Sequence, residues 1–141
     1  IDLVKYQIMV AAGYKVDLTN LIKRNHTIEC RVNAENAKNF SPSPGTVSFI
    51  NVPGGRGVRI DTALYTNYRV NPHYDSLILK IVSKGKDRNE AISIMKRSLD
   101  EIIIDGIDTN IELHKWILNQ RDFIDGVYNT NWLEKNISKF N

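Results

Sequence analysis

His26-Thr27-Ile28-Glu29-Cys30-Arg31-Val32-Asn33-Ala34-Glu35 alternates strictly through its middle. Ile28, Cys30 and Val32 fall on one face of an extended strand. Thr27, Glu29, Arg31 and Asn33 fall on the other. The apolar face predicts a sheet packed against a core. The polar face carries a carboxylate, a guanidinium and an amide, and pattern alone leaves it two readings. It faces water, as the open side of an antiparallel sheet does, or it lines a site.

Upstream, Leu3, Val4, Gln7, Ile8 and Ala11 recur at three-four spacing, which predicts a helix over 2–12 stopped at Gly13. Residues 14–25 are mixed and polar and read as a short strand or loop. Downstream, Glu35 to Phe40 reads as a helical turn ended by Pro42 and Pro44. Thr46 to Val52 reads as one strand with Val47, Phe49 and Asn51 on one face. Gly54-Gly55-Arg56-Gly57 forces a turn, since glycine tolerates positive φ. Val58 to Tyr65 alternates again. Leu77 to Val82 is nearly continuous apolar, with Lys80 interrupting, and suits a more buried strand.

The last third is mostly helical. Asp87-Arg88-Asn89-Glu90 has capping-box spacing, and the helix behind it buries Ala91, Ile92, Met95 and Leu99. Ile102-Ile103-Ile104, closed by Asp105-Gly106, reads as a short strand. Thr109-Asn110-Ile111-Glu112 is a second capping box, opening a helix through Leu113, Trp116 and Ile117. Thr130 to Glu134 opens a terminal helix. Strands first and helices after predict an α+β fold, an antiparallel sheet with helices packed on one side.

The length of 141 residues suits one domain with one core. A net charge of +3, from 19 basic and 16 acidic residues without a Lys/Arg block, argues against a nucleic-acid partner. No apolar run approaches membrane-spanning length. The single cysteine, Cys30, lies on the apolar face of its strand and reads as a core thiol. A reducing cytoplasm is the expected compartment. The chain opens on Ile1 inside a helical pattern, so it reads as a piece of a longer protein.

Arg31 is the main candidate for chemistry. Its guanidinium stays protonated and presents a planar fork of donors suited to a carboxylate, bicarbonate or an enolate oxygen. On pattern alone a solvated surface arginine is the simpler reading. Glu29, two residues away, shares the face and either orients a guanidinium or is solvated. Asp75, in Tyr74-Asp75-Ser76, either pairs with Arg31 or serves a turn. Pro53-Gly54-Gly55-Arg56-Gly57-Val58-Arg59 is no phosphate loop, because a strand pattern follows it and a Lys-Ser/Thr pair is missing. His26, His73 and His114 stand at no metal-ligand spacing, and His26 reads as structural.

The motif H-x-x-E-x-R-x-x-A-E, followed by Ser41-Pro42-Ser43-Pro44-Gly45, resembles the C-terminal domain of biotin carboxylase. The likeness continues through Pro53 to Arg59, Tyr74-Asp75-Ser76-Leu77-Ile78 and Ile104-Asp105-Gly106-Ile107-Asp108-Thr109-Asn110. Ile1 to Lys5 and Ala11-Ala12-Gly13 extend it upstream. The blocks come in the family's order and cover nearly the whole chain. One departure is Asn25-His26-Thr27, where the family has Gly-His-Ala.

The resemblance implies a cap domain packed on an ATP-grasp domain. Residues 1–25 would be the helix and connector from the end of the ATP-grasp domain, and 26–141 the C-terminal domain. It implies a ligase that carboxylates biotin on a carrier protein with ATP, Mg2+ and bicarbonate. Arg31 would contact bicarbonate and the ureido ring and stabilise charge on the ureido oxygen, with Glu29 and Asp75 supporting it. Arg56, at a variable position of its motif, and Arg59, which matches, would lie near a homodimer interface. Thr130 and Asn131 would lie where the family's tail approaches the nucleotide.

The implied partners are the biotin carboxyl carrier protein and carboxyltransferase subunits, as in the bacterial acetyl-CoA carboxylase of fatty acid synthesis. Pyruvate carboxylase, an acyl-CoA carboxylase subunit and a purely structural dimerisation module remain alternatives. The family's phosphate loop, metal-binding glutamates and E-x-N-x-R strand do not occur in this sequence. The isolated chain is therefore expected to bind no nucleotide and no metal, and to be inactive.

Overall fold

The computed structural model describes residues 1–19 and 25–140. Helix α1, Leu3–Ala11, is capped by Asp2, whose carboxylate accepts from the Lys5 amide at 3.0 Å. None of its residues is buried, and the predicted apolar stripe stands open at Leu3, Val4 and Ile8. Part of the expected strand or loop over 14–25 lies outside the described residues.

The body is built on strand β1, His26–Asn33, whose burial alternates as its sequence does. It pairs antiparallel with β6, Leu77–Gly85, which pairs on its other side with β4, Val58–Thr62. Ile28, Cys30 and Val32 meet Ser83, Ile81 and Leu79 on one face of this sheet. Helix α2, Arg88–Glu101, covers that face with Ala91, Ile92, Met95 and Leu99. Half of the predicted capping box forms: Asp87 accepts from the Glu90 amide at 2.9 Å, while the Glu90 carboxylate reaches back to the amide of Lys86 rather than of Asp87. Ser83 is a polar residue in this core, and its hydroxyl donates to the Ala91 carbonyl at 2.9 Å. Burial pushes the Cys30 thiol up to about 12, with the Glu29 carboxylate adding to the shift. The thiol is a core group, as its strand position predicts.

The segment 46–52 is not one strand. It divides into β2, Gly45–Thr46, paired with β5, Arg69–Val70, and β3, Phe49–Asn51, paired with β7, Ile103–Asp105. Between them Val47 is fully buried, while Phe49 is 48% exposed, so the predicted Val47/Phe49/Asn51 face does not form. Serving two partners requires the chain to turn at 47–48, and local alternation carries no information about partner choice. The expected helical turn at 35–40 forms as a single turn, closed by the Phe40 amide donating to the Asn36 carbonyl at 2.9 Å. Asn36 folds its side-chain oxygen onto the amides of Lys38 and Asn39, while Glu35 bridges to Pro42. The Asn36 side chain thus caps the turn at its start, and Pro42 and Pro44 keep it from extending.

Three helices follow: α3, Ile111–Leu118; α4, Arg121–Asp125; and α5, Trp132–Asn136, ending in a 3-10 turn over Ile137–Lys139. The order and the one-sided packing of α2 make this the predicted α+β fold. Among the described residues no helix is long and apolar enough to cross a membrane.

Candidate functional site

The face of the β1–β6–β4 sheet opposite α2 is polar. Register places Arg31 across from Lys80, and Lys80 across from Asp61; Glu29 faces Val82, and Val82 faces Arg59. Arg31 and Glu29 are exposed, and Lys80 is half-buried. Asp61 is taken by Arg59 in an ion pair of 2.9 Å. Among the described residues neither Arg31 nor Lys80 has an ion-pair partner. Like charges directly opposed on a sheet repel. An anion bound between them would relieve that repulsion and use the guanidinium's fork.

The expected pairing of Arg31 with Asp75 is not formed. Asp75 instead accepts from the Leu77 amide at 2.8 Å and shapes the turn into β6. Its short side chain is held two residues ahead in its own turn, the alternative role open to it in the sequence. Glu29 shares the face with Arg31 but makes no ion pair with it among the described residues. Glu35, from the same motif, accepts from Asn33 Nδ2 at 3.2 Å and from the Ser76 hydroxyl, tying the end of β1 to the turn before β6.

The backbone of Arg31 is held from the other side. Strand β1 is the edge of its sheet, and α3 covers that edge. Asn110 Nδ2 donates to the Arg31 carbonyl at 3.2 Å, and its Oδ1 accepts from the Asn33 amide at 2.9 Å. The Asn110 amide donates to the Asn33 carbonyl at 3.3 Å. His114 Nε2 lies 2.9 Å from the same Arg31 carbonyl and donates to it. The expected capping box at Thr109–Glu112 is thereby corrected: Asn110 occupies the N-cap of α3 and makes no side-chain cap bond. Its amide is engaged by β1. Burial lowers the His114 pKa, and the bond to the Arg31 carbonyl works in the opposite direction.

Arg56 and Arg59 lie around the predicted turn. Arg56 is exposed at its tip, and Arg59 sits on β4. A concavity of roughly 830 Å3 beneath the turn is lined by Arg56, Lys84, Lys86, Glu90, Ile94 and Arg97. Arg97 donates to the Gly54 carbonyl at 3.3 Å and to Glu101 at 2.8 Å, pinning the turn to α2. His26 is structural, as expected: it accepts from Arg88, whose guanidinium also donates to the carbonyls of Phe123 and Ile124. Thr130 and Asn131 are exposed ahead of α5. Among the described residues no group of His, Cys, Asp or Glu could hold a metal ion.

The sequence reading missed Lys80, Asn110 and His114 as parts of this site. Lys80 carried a signal, since a lysine inside an apolar strand marks the open face. The other two carried none, because their contacts with Arg31 span 79 and 83 positions.

A family model described as the biotin carboxylase C-terminal domain matches residues 29–135. The chain is 45% identical over 139 residues to the biotin carboxylase of Pseudomonas aeruginosa, covering 97% of this chain and 31% of that protein. Its fold matches a biotin carboxylase–beta-gamma-ATP complex from Campylobacter jejuni with a TM-score of 0.84 at 43% identity, over 96% of this chain and 30% of that one. It also matches the biotin carboxylase domain dimer of Hydrogenobacter thermophilus 2-oxoglutarate carboxylase, in complex with MgADP, ADP and bicarbonate. There the TM-score is 0.88 at 37% identity, over 100% of this chain and 32% of that one. The chain thus spans about a third of the length of the relatives it matches. By sequence and by fold, it belongs to the biotin carboxylase C-terminal domain family.

Proposed function

We propose that this chain forms the C-terminal part of an ATP-dependent biotin carboxylase and supplies one wall of its active site. The observation that carries the reading is Arg31: a guanidinium on the open face of the sheet, opposite Lys80, with no carboxylate of the described residues to neutralise it. Such a group fits bicarbonate or the ureido oxygen of biotin, on which negative charge grows as the ring nitrogen loses its proton. Held in place, the fork lowers the cost of that charge without reorganising. Glu29, on the same face, would orient the fork once substrate is bound. Asp75 would act more remotely, through the turn that starts β6.

In this reading the chain by itself binds neither nucleotide nor Mg2+. The described residues offer no group of three or more metal-ligating side chains, and the Pro53–Arg59 glycines turn the chain from β3 into β4, a strand of another sheet, rather than into a helix. Those substrates fall to the rest of the parent enzyme, and the isolated chain is inactive in this reading. Residues 1–25 would belong to the end of the ATP-grasp domain, and 26–141 to the C-terminal domain. The fully unburied α1 and a family match beginning at residue 29 support that division.

A homodimer, with Arg56 and Arg59 near its interface, is part of the proposal; the Hydrogenobacter relative is a dimer. A biotin carboxyl carrier protein, carboxyltransferase subunits and a cytoplasmic setting complete it. Acetyl-CoA is the first acceptor to test. In the full-length enzyme, Arg31→Ala is expected to slow carboxylation of free biotin by about 10²–10³-fold while ATP binding survives. Arg31→Lys should recover only part of the rate, since an ammonium keeps the charge and loses the fork. Wild-type turnover in a folded Arg31→Ala enzyme would remove the catalytic reading.

A further inference from the structure

We infer that Asn110 and His114 are positioning residues for Arg31, fixing from α3 the stretch of edge-strand backbone that presents its guanidinium. The inference rests on the reading of Arg31 given above.

The bonds from α3 to the edge of β1 fall on two residues, Arg31 and Asn33. The Arg31 carbonyl accepts two side-chain donors, Asn110 Nδ2 at 3.2 Å and His114 Nε2 at 2.9 Å. Asn33 is held at both its amide and its carbonyl by Asn110. Asparagine is among the strongest helix N-caps, yet the Asn110 side chain leaves its own helix uncapped to reach the strand. An edge strand otherwise leaves the N–H and C=O groups of its outer side unpaired, and Arg31 has no ion pair of its own among the described residues to hold its pose. The side chain's origin is therefore fixed through the peptide on either side of Val32. Misplacing a charge-stabilising group by about 1 Å can cost as much as 10²-fold in rate.

Four substitutions separate this from simple scaffolding. Asn110→Asp keeps an oxygen for the Asn33 amide and sets a carboxylate against the Arg31 carbonyl in place of a donor. His114→Ala removes the second donor, and His114→Gln restores one. In the full-length enzyme, Asn110→Asp and His114→Ala should lower kcat with free biotin by about tenfold or more, with the KM for ATP unchanged. His114→Gln should recover most of the loss. Amide exchange should speed up at Asn33 in Asn110→Ala but not in Asn110→Asp.

Unchanged kcat in both variants, with Arg31→Ala strongly impaired, would overturn the positioning role and leave Arg31 standing. A drop in thermal midpoint with no change in kcat below it, or His114→Gln no better than His114→Ala, would also overturn it. A harmless Arg31→Ala would instead remove the catalytic reading on which the inference rests.

Discussion

Arg31 and Lys80 stand directly opposed across the β1–β6 ladder, two cations on one open sheet face, while the nearby carboxylate of Asp61 is bound to Arg59. A fold selected for stability alone would separate them or place a carboxylate between them. Lys80→Met is therefore expected to raise stability by about 0.2–1 kcal/mol at low salt, with the gain shrinking as salt screens the pair. In the full-length enzyme the same change should weaken bicarbonate binding. Denaturation midpoints at two ionic strengths, with the KM for bicarbonate, test both halves.

The turn at 54–57 separates glycines that look alike in the sequence. Gly57 has φ +79, and a Cβ there would come within 2.6 Å of the Lys84 carbonyl oxygen, beside the Lys84 amide's 2.8 Å bond to Gly57. Gly55 has φ +95, but its Cβ would meet nothing closer than the flexible end of Arg97 at 3.7 Å. Gly54 has neither restriction. Gly57→Ala should therefore cost roughly 2 kcal/mol or more, Gly55→Ala roughly 1, and Gly54→Ala less than about 0.5. Chemical denaturation of the three variants gives the order directly.

Arg88 ties the start of α2 to the end of α4. It donates to the carbonyls of Phe123 and Ile124, contacts His26 Nε2 at 3.1 Å, and stacks over the Phe123 ring at 4.9 Å. The carbonyls at a helix C-terminus lack helical partners and favour a cation. Arg88→Met should destabilise the domain by about 1.5–3 kcal/mol, because it removes the donor to the Ile124 carbonyl and leaves the Phe123 carbonyl only the Gly126 amide at 3.2 Å. Arg88→Lys should rescue little, since one ammonium cannot span the same set of acceptors. Thermal midpoints of the two variants would check this.

Strand β1, strand β6 and helix α2 were legible because each carries its signal locally: period-two alternation, a continuous apolar run, and Asp87 three residues before Glu90. The division of 46–52 was not legible. Both halves look like one strand until Arg69–Val70 and Ile103–Asp105 are known as separate partners. The same limit applies to the site. Arg31 was visible as a residue type on a polar face, and the family motif singled it out. Its cross-strand neighbour depends on register, and its backbone supports depend on how α3 docks. Asn110 misled the reading in a physical way: Thr109-Asn110-Ile111-Glu112 has the spacing of a cap, but the amide finds a better use on an unpaired strand edge.

His114 gives the support of Arg31 a pH signature. Its imidazole sits half-buried against the Arg31 carbonyl, and burial holds its folded pKa below the ordinary 6.5. The unfolded chain therefore binds the proton more readily than the folded one. The contribution of this site to stability is complete above pH 6.5 and is lost as pH falls through the folded value. Glutamine at the same position offers a donor and does not titrate. Wild-type protein should lose stability on acidification below pH 6.5 more steeply than His114→Gln, and the two curves should run parallel above it. Denaturation free energies across pH 4.5–8 measure the difference, which isolates this histidine from the carboxylates common to both proteins. Curves that stay parallel through the acid range would mean that the imidazole takes up its proton as easily in the folded chain as in the unfolded one, the bond to the Arg31 carbonyl then offsetting the whole effect of burial.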